Sequence, residues 1–257
     1  MKKLIHKILE LFNLMIIKKK YYGVIDKRLI FSFQKSNNNY NLYYEGLSKS
    51  GNKHTDNFWK RSRHLDLLNL LVISLEKNLE GDFAEAGCWK GHSTYMMSKL
   101  ISSHLKKHQG KKLKFHVFDS FEGLSEIQDE DENIKNLNQS KIDHIRKQFQ
   151  SDENFVRNKV LGNFDFVKTY KGWIPERFAE VENLKFSFVH IDVDLYEPTT
   201  QTLEFFFPRL VNGGFIVCDD YNSLDFNGAR KAWDNFFSKN KVSFNFAPTL
   251  GSSFIIK

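Results

Sequence analysis

The sequence predicts a doubly wound α/β fold built around a mostly parallel sheet. From about residue 80 onward, short apolar segments alternate with helical segments, a pattern typical of parallel βαβ units. Glycines and acidic residues follow several of these segments, at the strand ends where such sheets bind ligands. With 257 residues, the chain has room for one α/β domain with added helices.

Residues 1–54 are predicted to form a basic extension with helical and loop parts. Eight Lys/Arg and two acids give residues 1–30 a net charge of +6, out of +7 for the whole chain. An amphipathic helix is expected within residues 1–20, for peripheral membrane contact or for packing on the domain or a partner subunit. Its apolar face consists of Leu4, Ile8, Leu11 and Met15. The Asn-rich residues 34–54 are predicted to be a loop.

The charge distribution and the cysteines limit the classes of function. Because the rest of the chain is nearly neutral, no nucleic-acid partner is expected. The N-terminal stretch is too short and too charged to span a membrane, and it lacks a small-residue cleavage site. Cys88 and Cys218 lie in apolar, strand-like segments, so both are expected to be buried and reduced in a cytoplasmic protein.

The main domain is predicted to span residues 55–257. Its first element is a helix over about residues 55–79, with an apolar stripe at helical spacing. The predicted parallel strands are 82–86, 113–118, 166–170, 186–191 and 214–218. The segments 241–246 and 252–256 predict an antiparallel hairpin at a sheet edge. The polar residues 125–154 follow a strand end and are interpreted either as a lid or as a solvated insertion.

A glycine-containing turn follows the first of these strands. The strand runs into Gly87 and Gly91, after which Ser93 opens a helix. Glycine allows a backbone to approach a ligand closely, although packing alone also selects such turns. Glu85 is an unusual residue for a strand end, and it is a candidate partner for a ligand's ammonium group.

The next strand ends in Asp119, at the position that binds ribose hydroxyls in nucleotide-binding α/β folds. The turn at residues 87–91 lacks the third glycine of the dinucleotide spacing. A nucleoside without a pyrophosphate therefore fits these two motifs better than NAD does. S-adenosylmethionine is such a nucleoside.

Two acidic pairs follow the later strands: Asp192 with Asp194, and Asp219 with Asp220. If both strands are central and parallel, the four carboxylates converge at one crevice. Such crowding is costly unless a cation or shared protons compensate for it, and hard oxygen ligands favour Mg²⁺ or a similar ion. The alternative is that these acids are helix caps or solvated turn residues.

Six segments in a fixed order carry a resemblance to a known family. They are Glu85-Ala-Gly-Cys-Trp-Lys-Gly91, Asp119-Ser-Phe-Glu-Gly-Leu124, Lys171-Gly-Trp-Ile-Pro-Glu176, Asp192-Val-Asp-Leu-Tyr-Glu-Pro-Thr199, Pro208-Arg-Leu-Val-Asn-Gly-Gly214 and Asp219-Asp-Tyr221. Over about residues 55–240 the chain resembles the macrocin O-methyltransferase family, whose members methylate sugars of macrolide and aminocoumarin antibiotics. The resemblance implies a seven-stranded Rossmann-like methyltransferase sheet and S-adenosylmethionine- and Mg²⁺-dependent methylation of a sugar or glycan hydroxyl.

The resemblance also implies roles for individual residues. Asp192, Asp219 and Asp220 would hold Mg²⁺, and Asp194 would be the general base. Together with neighbouring residues of the same motifs, the predicted cofactor site consists of Glu85, Ala86, Gly87, Gly91, Ser93, Asp119, Ser120, Gly172, Trp173 and Asp192. Val193 and Pro198 replace a glycine and a serine that many members have, which affects the expected acceptor more than the reaction.

Two histidines near these motifs have expected structural roles, and two other functions are compatible with the sequence. His92 and His190 are expected to be structural, because one begins a helix and the other lies within a strand. A catechol or phenol O-methyltransferase with the same metal chemistry is one alternative, and a non-catalytic binding module is another. A homo-oligomer is expected, and the Lys-, Asn-, Ile- and Phe-rich usage is typical of a bacterial protein.

Overall fold

A computed structural model describes residues 14–16, 24–26, 38–108, 110–247 and 252–257. Near the N-terminus, β1 (Leu14–Ile16) and β2 (Val24–Asp26) form a two-stranded antiparallel sheet. The main sheet has seven strands in the order β5-β4-β3-β6-β7-β9-β8. These strands are β3 (Asp82–Ala86), β4 (Phe115–Asp119), β5 (Val167–Lys171), β6 (Phe186–Ile191), β7 (Leu210–Cys218), β8 (Phe244–Phe246) and β9 (Ser253–Ile256).

Six helices of ten or more residues occur in the described part of the chain. They are α1 (Asn38–Lys49), α2 (Phe58–Lys77), α3 (His92–Lys107), α4 (Gln139–Gln148), α5 (Tyr196–Phe206) and α6 (Asn227–Lys239). Shorter helical segments are Lys53–Thr55, Glu132–Lys135, Glu153–Phe155, Val156–Val160, Glu176–Val181, Phe207–Arg209 and Asp219–Asn222. None of the described helices combines the length and the apolar character that crossing a membrane requires.

The sheet confirms the predicted doubly wound, mostly parallel fold. Strands β3 to β7 pair in parallel, whereas β9 pairs antiparallel with both β7 and β8. The chain builds outward from β3 to β5 on one side and from β6 to β9 on the other, so the strand order reverses between β3 and β6. A crevice forms at such a reversal, outside the carboxyl ends of the strands.

Alternating side chains of the strands pack into a separate core on each face of the sheet. Phe83 and Phe188 belong to the core beneath α1, α2 and α3, whereas the adjacent Ala84 and Val189 belong to the core on the opposite face. Both faces of the central strands are therefore covered, which explains why nearly every side chain of β3, β4 and β6 is buried. Packing on both faces holds the central strands in place, and the site residues follow directly after these strands.

The structure corrects two expectations about the N-terminal region. Residues 38–49 are the helix α1 and not a loop, because Tyr43 and Leu47 recur at helical spacing and are buried at 0% and 2% exposure. This apolar spacing outweighs the asparagine run that suggested a loop. Leu14–Ile16 is a strand, so the predicted helix does not continue through Met15. The rest of its apolar face, Leu4, Ile8 and Leu11, lies outside the described residues.

The polar insertion folds over the carboxyl end of the sheet. Its α4 helix and the short helix Glu132–Lys135 surround a small separate core of Leu124, Ile134 and Leu195. Asp131 is 1% exposed, and its side chain accepts hydrogen bonds from the backbone N–H groups of Gln128 (3.0 Å) and Tyr196 (2.9 Å). The insertion is thus tied to the start of α5, and its mobility stays a prediction.

Candidate active site

A cavity of about 980 Å³ lies at the carboxyl ends of the central strands. It is lined by residues that follow β3, β4, β5, β6 and β7, by one face of α2, and by the insertion. The predicted site residues that reach it are Gly87, Ser93, Asp119, Ser120, Gly172, Trp173, Asp192, Asp194, Asp219 and Asp220. Glu85, Ala86 and Gly91 are not brought to its wall. Val193 and Pro198, the two departures from the family pattern, also line it.

Asp119 organises the turn after β3. One of its carboxylate oxygens accepts hydrogen bonds from the backbone N–H groups of Cys88 (2.7 Å) and Trp89 (2.8 Å), and the other accepts one from Phe121 (2.6 Å). Burial raises the pKa of Asp119 above its ordinary value, although these hydrogen bonds oppose the shift. A carboxylate has about four acceptor positions, so a ribose hydroxyl can still be bound.

Glycine is required at position 87 because two segments of the backbone come into close contact there. Its φ is +83°, and a Cβ there would lie 1.9 Å from the carbonyl oxygen of Asp192. The turn after β3 therefore passes directly against the chain that leaves β6, and it brings the predicted cofactor and metal sites into one crevice. Gly91 differs, because a Cβ there would meet Val156 and Val160 at 3.2 Å.

Glu85 points into the protein and not into the cavity. It is 0% exposed, accepts a hydrogen bond from Thr94 Oγ1, and pairs with His190 Nδ1 at 2.9 Å. Burial alone would lower the pKa of His190, but the nearby carboxylates of Asp219 and Glu85 raise it to about 10. Glu85 thus holds a buried imidazolium beneath the acidic cluster, and its predicted contact with a ligand's ammonium group has no support from this geometry.

The four predicted acids converge as the sequence indicated. Oxygens of Asp192, Asp219 and Asp220 lie within 4.8 Å of one another. Asp194 has a φ of +61°, and its N–H donates to Asp220 Oδ2 at 3.1 Å. Burial, followed by repulsion from neighbouring carboxylates, raises the pKa values of Asp192 and Asp194 well above the ordinary value. Three converging oxygen donors with this unfavourable crowding fit a hard divalent cation.

Arg63 is a site residue that the sequence analysis missed. Its Nη1 lies 2.8 Å from Asp219 Oδ2 and 2.9 Å from Asp220 Oδ1. Although burial opposes the shift, Arg63 and His190 lower the pKa of Asp219. A second pattern in the sequence of α2 could have indicated it. The polar residues Lys60, Arg63 and His64 recur at helical spacing, whereas the prediction of this helix used only its apolar stripe.

Lys60, His64 and His92 also line the cavity, on the same side as Arg63. Burial lowers the pKa of Lys60 to about 8, against the attraction of Asp192. His92 Nε2 donates to the Tyr43 carbonyl oxygen (2.9 Å), and the His92 ring lies 4.6 Å from the ring of His64. Burial lowers the pKa values of both histidines, so they are neutral. His92 lines the cavity while also tying α3 to α1.

Two further expectations concern aromatic residues and cysteines. Trp173 lines the cavity, whereas Tyr196 and Tyr221 of the later motifs do not. Cys88 and Cys218 are both buried free thiols, as predicted.

Together, the doubly wound sheet with its antiparallel edge and the strand-end cavity define a Rossmann-like fold of the type found in O-methyltransferases. Among solved structures, the chain is similar to the O-methyltransferase NovP, with 21% identity and a TM-score of 0.59 over 76% of this chain and 79% of the other. It is also similar to the calicheamicin methyltransferase CalS11, with 18% identity and a TM-score of 0.56 over 74% and 78% of the two chains. These likenesses show the fold.

Residues 44–248 match the model of the macrocin O-methyltransferase family (TylF), and the chain belongs to this family. It is 30% identical over 164 residues to the 8-demethyl-8-(2,3-dimethoxy-alpha-L-rhamnosyl)-tetracenomycin-C 4'-O-methyltransferase of Streptomyces olivaceus. That match covers 62% of this chain and 60% of the relative. The demethyldecarbamoylnovobiocin O-methyltransferase of Streptomyces niveus is 26% identical over 74% of this chain and 71% of its own length.

Proposed function

We propose that this protein is an S-adenosylmethionine- and Mg²⁺-dependent O-methyltransferase that acts on a hydroxyl of a sugar, a glycan or a glycosylated natural product. The observation that carries the proposal is the meeting of two groups of residues in one cavity. Residues after β3 to β5 form a wall suited to a nucleoside, and the acids after β6 and β7 lie beside it.

The size of the cavity agrees with two ligands. Ligand pockets measure about 300–1,000 Å³, and at about 980 Å³ this cavity is at the upper end of that range. We infer that the cofactor occupies the side lined by Gly87, Asp119 and Trp173. The acceptor then binds near the four acids and near Val193 and Pro198. These two residues differ from the family pattern, so they affect which acceptor fits.

The proposed mechanism is direct methyl transfer. The acceptor oxygen attacks the methyl carbon of the sulfonium, the S–CH₃ bond breaks, and S-adenosylhomocysteine leaves with the bonding electron pair. Asp192, Asp219 and Asp220 would hold the Mg²⁺. When bound, the ion supplies Lewis-acid polarisation of a substrate hydroxyl.

Asp194 is the proposed acceptor of the hydroxyl proton. Its pKa is raised by burial and by the neighbouring carboxylates Asp220 and Asp192. A carboxylate with a raised pKa is a stronger base, and its efficiency increases as that pKa approaches the working pH. The hydrogen bond from the Asp194 N–H to Asp220 Oδ2 fixes the backbone on which this base is placed.

Two alternatives remain to be separated by experiment. A catechol or phenol O-methyltransferase would use the same acids on an aromatic diol, so a screen of sugar and aromatic acceptors distinguishes it. A non-catalytic binding module is disfavoured by the four converging acids. We also propose that the protein is a cytoplasmic homo-oligomer. Light scattering on the purified protein measures its oligomeric state.

Calorimetric titration with S-adenosylmethionine and S-adenosylhomocysteine, with and without Mg²⁺, is the decisive test. Micromolar cofactor binding by the wild type is expected. The Asp219→Ala variant should keep cofactor binding and lose the effect of Mg²⁺. Absence of binding to either nucleoside would contradict the methyltransferase proposal and favour the non-catalytic binding module.

A further inference from the structure

The acidic cluster already contains a cation that belongs to the chain. Arg63 reaches it from α2 and contacts two of the three carboxylates that offer a metal site. A single nitrogen, Nη1, makes both contacts, and it also lies 3.5 Å from the Asp219 carbonyl oxygen. Arg63 thus bridges the carboxylates as a compact point charge would, and not through the two parallel hydrogen bonds of a guanidinium–carboxylate fork.

The Arg63 guanidinium is also incompletely satisfied. Its Nε is buried and has no hydrogen-bond partner in the described part of the chain. The two carboxylates have other supports: Ser252 Oγ lies 3.4 Å from Asp219 Oδ1, and Asp194 N–H donates to Asp220 Oδ2. The acids can therefore keep their orientation if Nη1 moves away from one of them.

We infer that Arg63 is a resident counter-cation which shares Asp219 and Asp220 with the divalent cation and must release at least one of them when that cation binds. The inference rests on the proposed metal site and adds a control of its affinity. Without metal, Arg63 offsets the repulsion among the carboxylates. With metal, its positive charge opposes a second cation a few ångströms away, and the lost contact adds to the cost of binding.

The test is the affinity for Mn²⁺, followed by electron paramagnetic resonance of the free ion and by calorimetry. Arg63→Gln is expected to bind Mn²⁺ on the order of tenfold more tightly than the wild type. Its metal-free form should unfold at a lower temperature, and saturating Mn²⁺ should reduce that deficit. Arg61→Gln is the matched control, because Arg61 lies on the same helix and pairs with Asp56 instead. The control should bind Mn²⁺ as the wild type does.

The outcomes separate this inference from the metal proposal. If the wild type binds Mn²⁺ and Arg63→Gln binds equally or more weakly, the competition is overturned while the metal site stands. If neither protein binds Mn²⁺, the metal site fails and the inference fails with it. Should Arg63→Gln not fold, Arg63→Lys keeps the charge but has a shorter reach. It is expected to bind Mn²⁺ more tightly than the wild type, and unchanged or weaker binding would overturn the inference.

Discussion

Asp194 owes its position to an unfavourable backbone conformation. A positive φ is uncommon for aspartate, and here it is held by the hydrogen bond of its N–H with the side chain of Asp220. The side chain is 8% exposed and lines the cavity. Backbone strain and a raised pKa thus coincide at the residue that the proposed mechanism uses as a base.

Asp194→Asn is expected to leave S-adenosylmethionine binding intact and to lower turnover by roughly two orders of magnitude or more, because proton removal loses its base. Calorimetry and single-turnover methyl transfer measure the two effects. Asp165→Asn, at an exposed position away from the cavity, is the control for loss of a carboxylate. Full turnover in Asp194→Asn would exclude Asp194 from the mechanism.

Asp66, on α2, is a half-buried acid whose pKa is shifted. Burial, with a smaller contribution from Asp219, raises its pKa to about 7. The folded protein therefore binds a proton that the unfolded chain releases above its ordinary pKa of about 4. Stability is lost as the pH rises between these two values.

Asp66→Asn should accordingly be more stable than the wild type at pH 8, by up to about 4 kcal/mol, with a smaller difference at pH 4.5. Urea unfolding at both pH values measures it. Glu76→Gln, at an exposed position on the same helix, should show no such pH-dependent gain. A gain that is equal at both pH values would contradict the titration of Asp66.

At the scale of elements, the insertion forms part of the cavity wall and packs around its own small core. Gln128, Arg146 and Phe149 line the cavity, and α4 has no buried residue. Because its core is much smaller than the two cores on the faces of the sheet, the insertion is expected to open more easily than the sheet. The buried carboxylate of Asp131 is the anchor that joins it to α5.

Asp131→Ala is expected to remove two hydrogen bonds and weaken this anchor by about 1–3 kcal/mol. Trypsin should then cleave faster within residues 125–154, and the KM for the acceptor should rise. The control is Asp129→Ala, since Asp129 is exposed and pairs only with Lys135 in the described part of the chain. Unchanged cleavage and KM would favour the alternative of a solvated insertion without a role.

At the scale of the whole molecule, the basic N-terminal residues are set apart from a nearly neutral main domain. This asymmetry supports the proposal of peripheral contact with an anionic membrane, where each lysine near the surface contributes about 1 kcal/mol. Cofactor chemistry is expected to be independent of that contact, because the cavity lining lies within residues 57–226.

Changing Lys18, Lys19 and Lys20 together to glutamate should abolish sedimentation of the full chain with phosphatidylserine vesicles while leaving cofactor affinity unchanged. The same triple change to arginine keeps the charge and is the control. Equal sedimentation of all three proteins would argue against electrostatic membrane contact and favour packing on the domain or on a partner subunit.

The sequence by itself determined the parallel sheet, the order of its strands along the chain, and the chemistry at the strand ends. Alternating apolar and helical segments predict βαβ units, and parallel strands place their carboxyl ends at one edge. Asp192, Asp194, Asp219 and Asp220 are therefore predicted to converge at one crevice, and Asp119 is predicted to end another strand of the same sheet.

Only the tertiary structure decided which neighbouring side chains face that crevice. Both faces of β3 are buried, so its pattern does not indicate that Glu85 points toward His190 and away from the cavity. Arg63 meets Asp220 across 157 residues of sequence, a contact set by how α2 packs on the sheet. Local periodicity fixes strands and helices, whereas the packing between them fixes such long-range pairs.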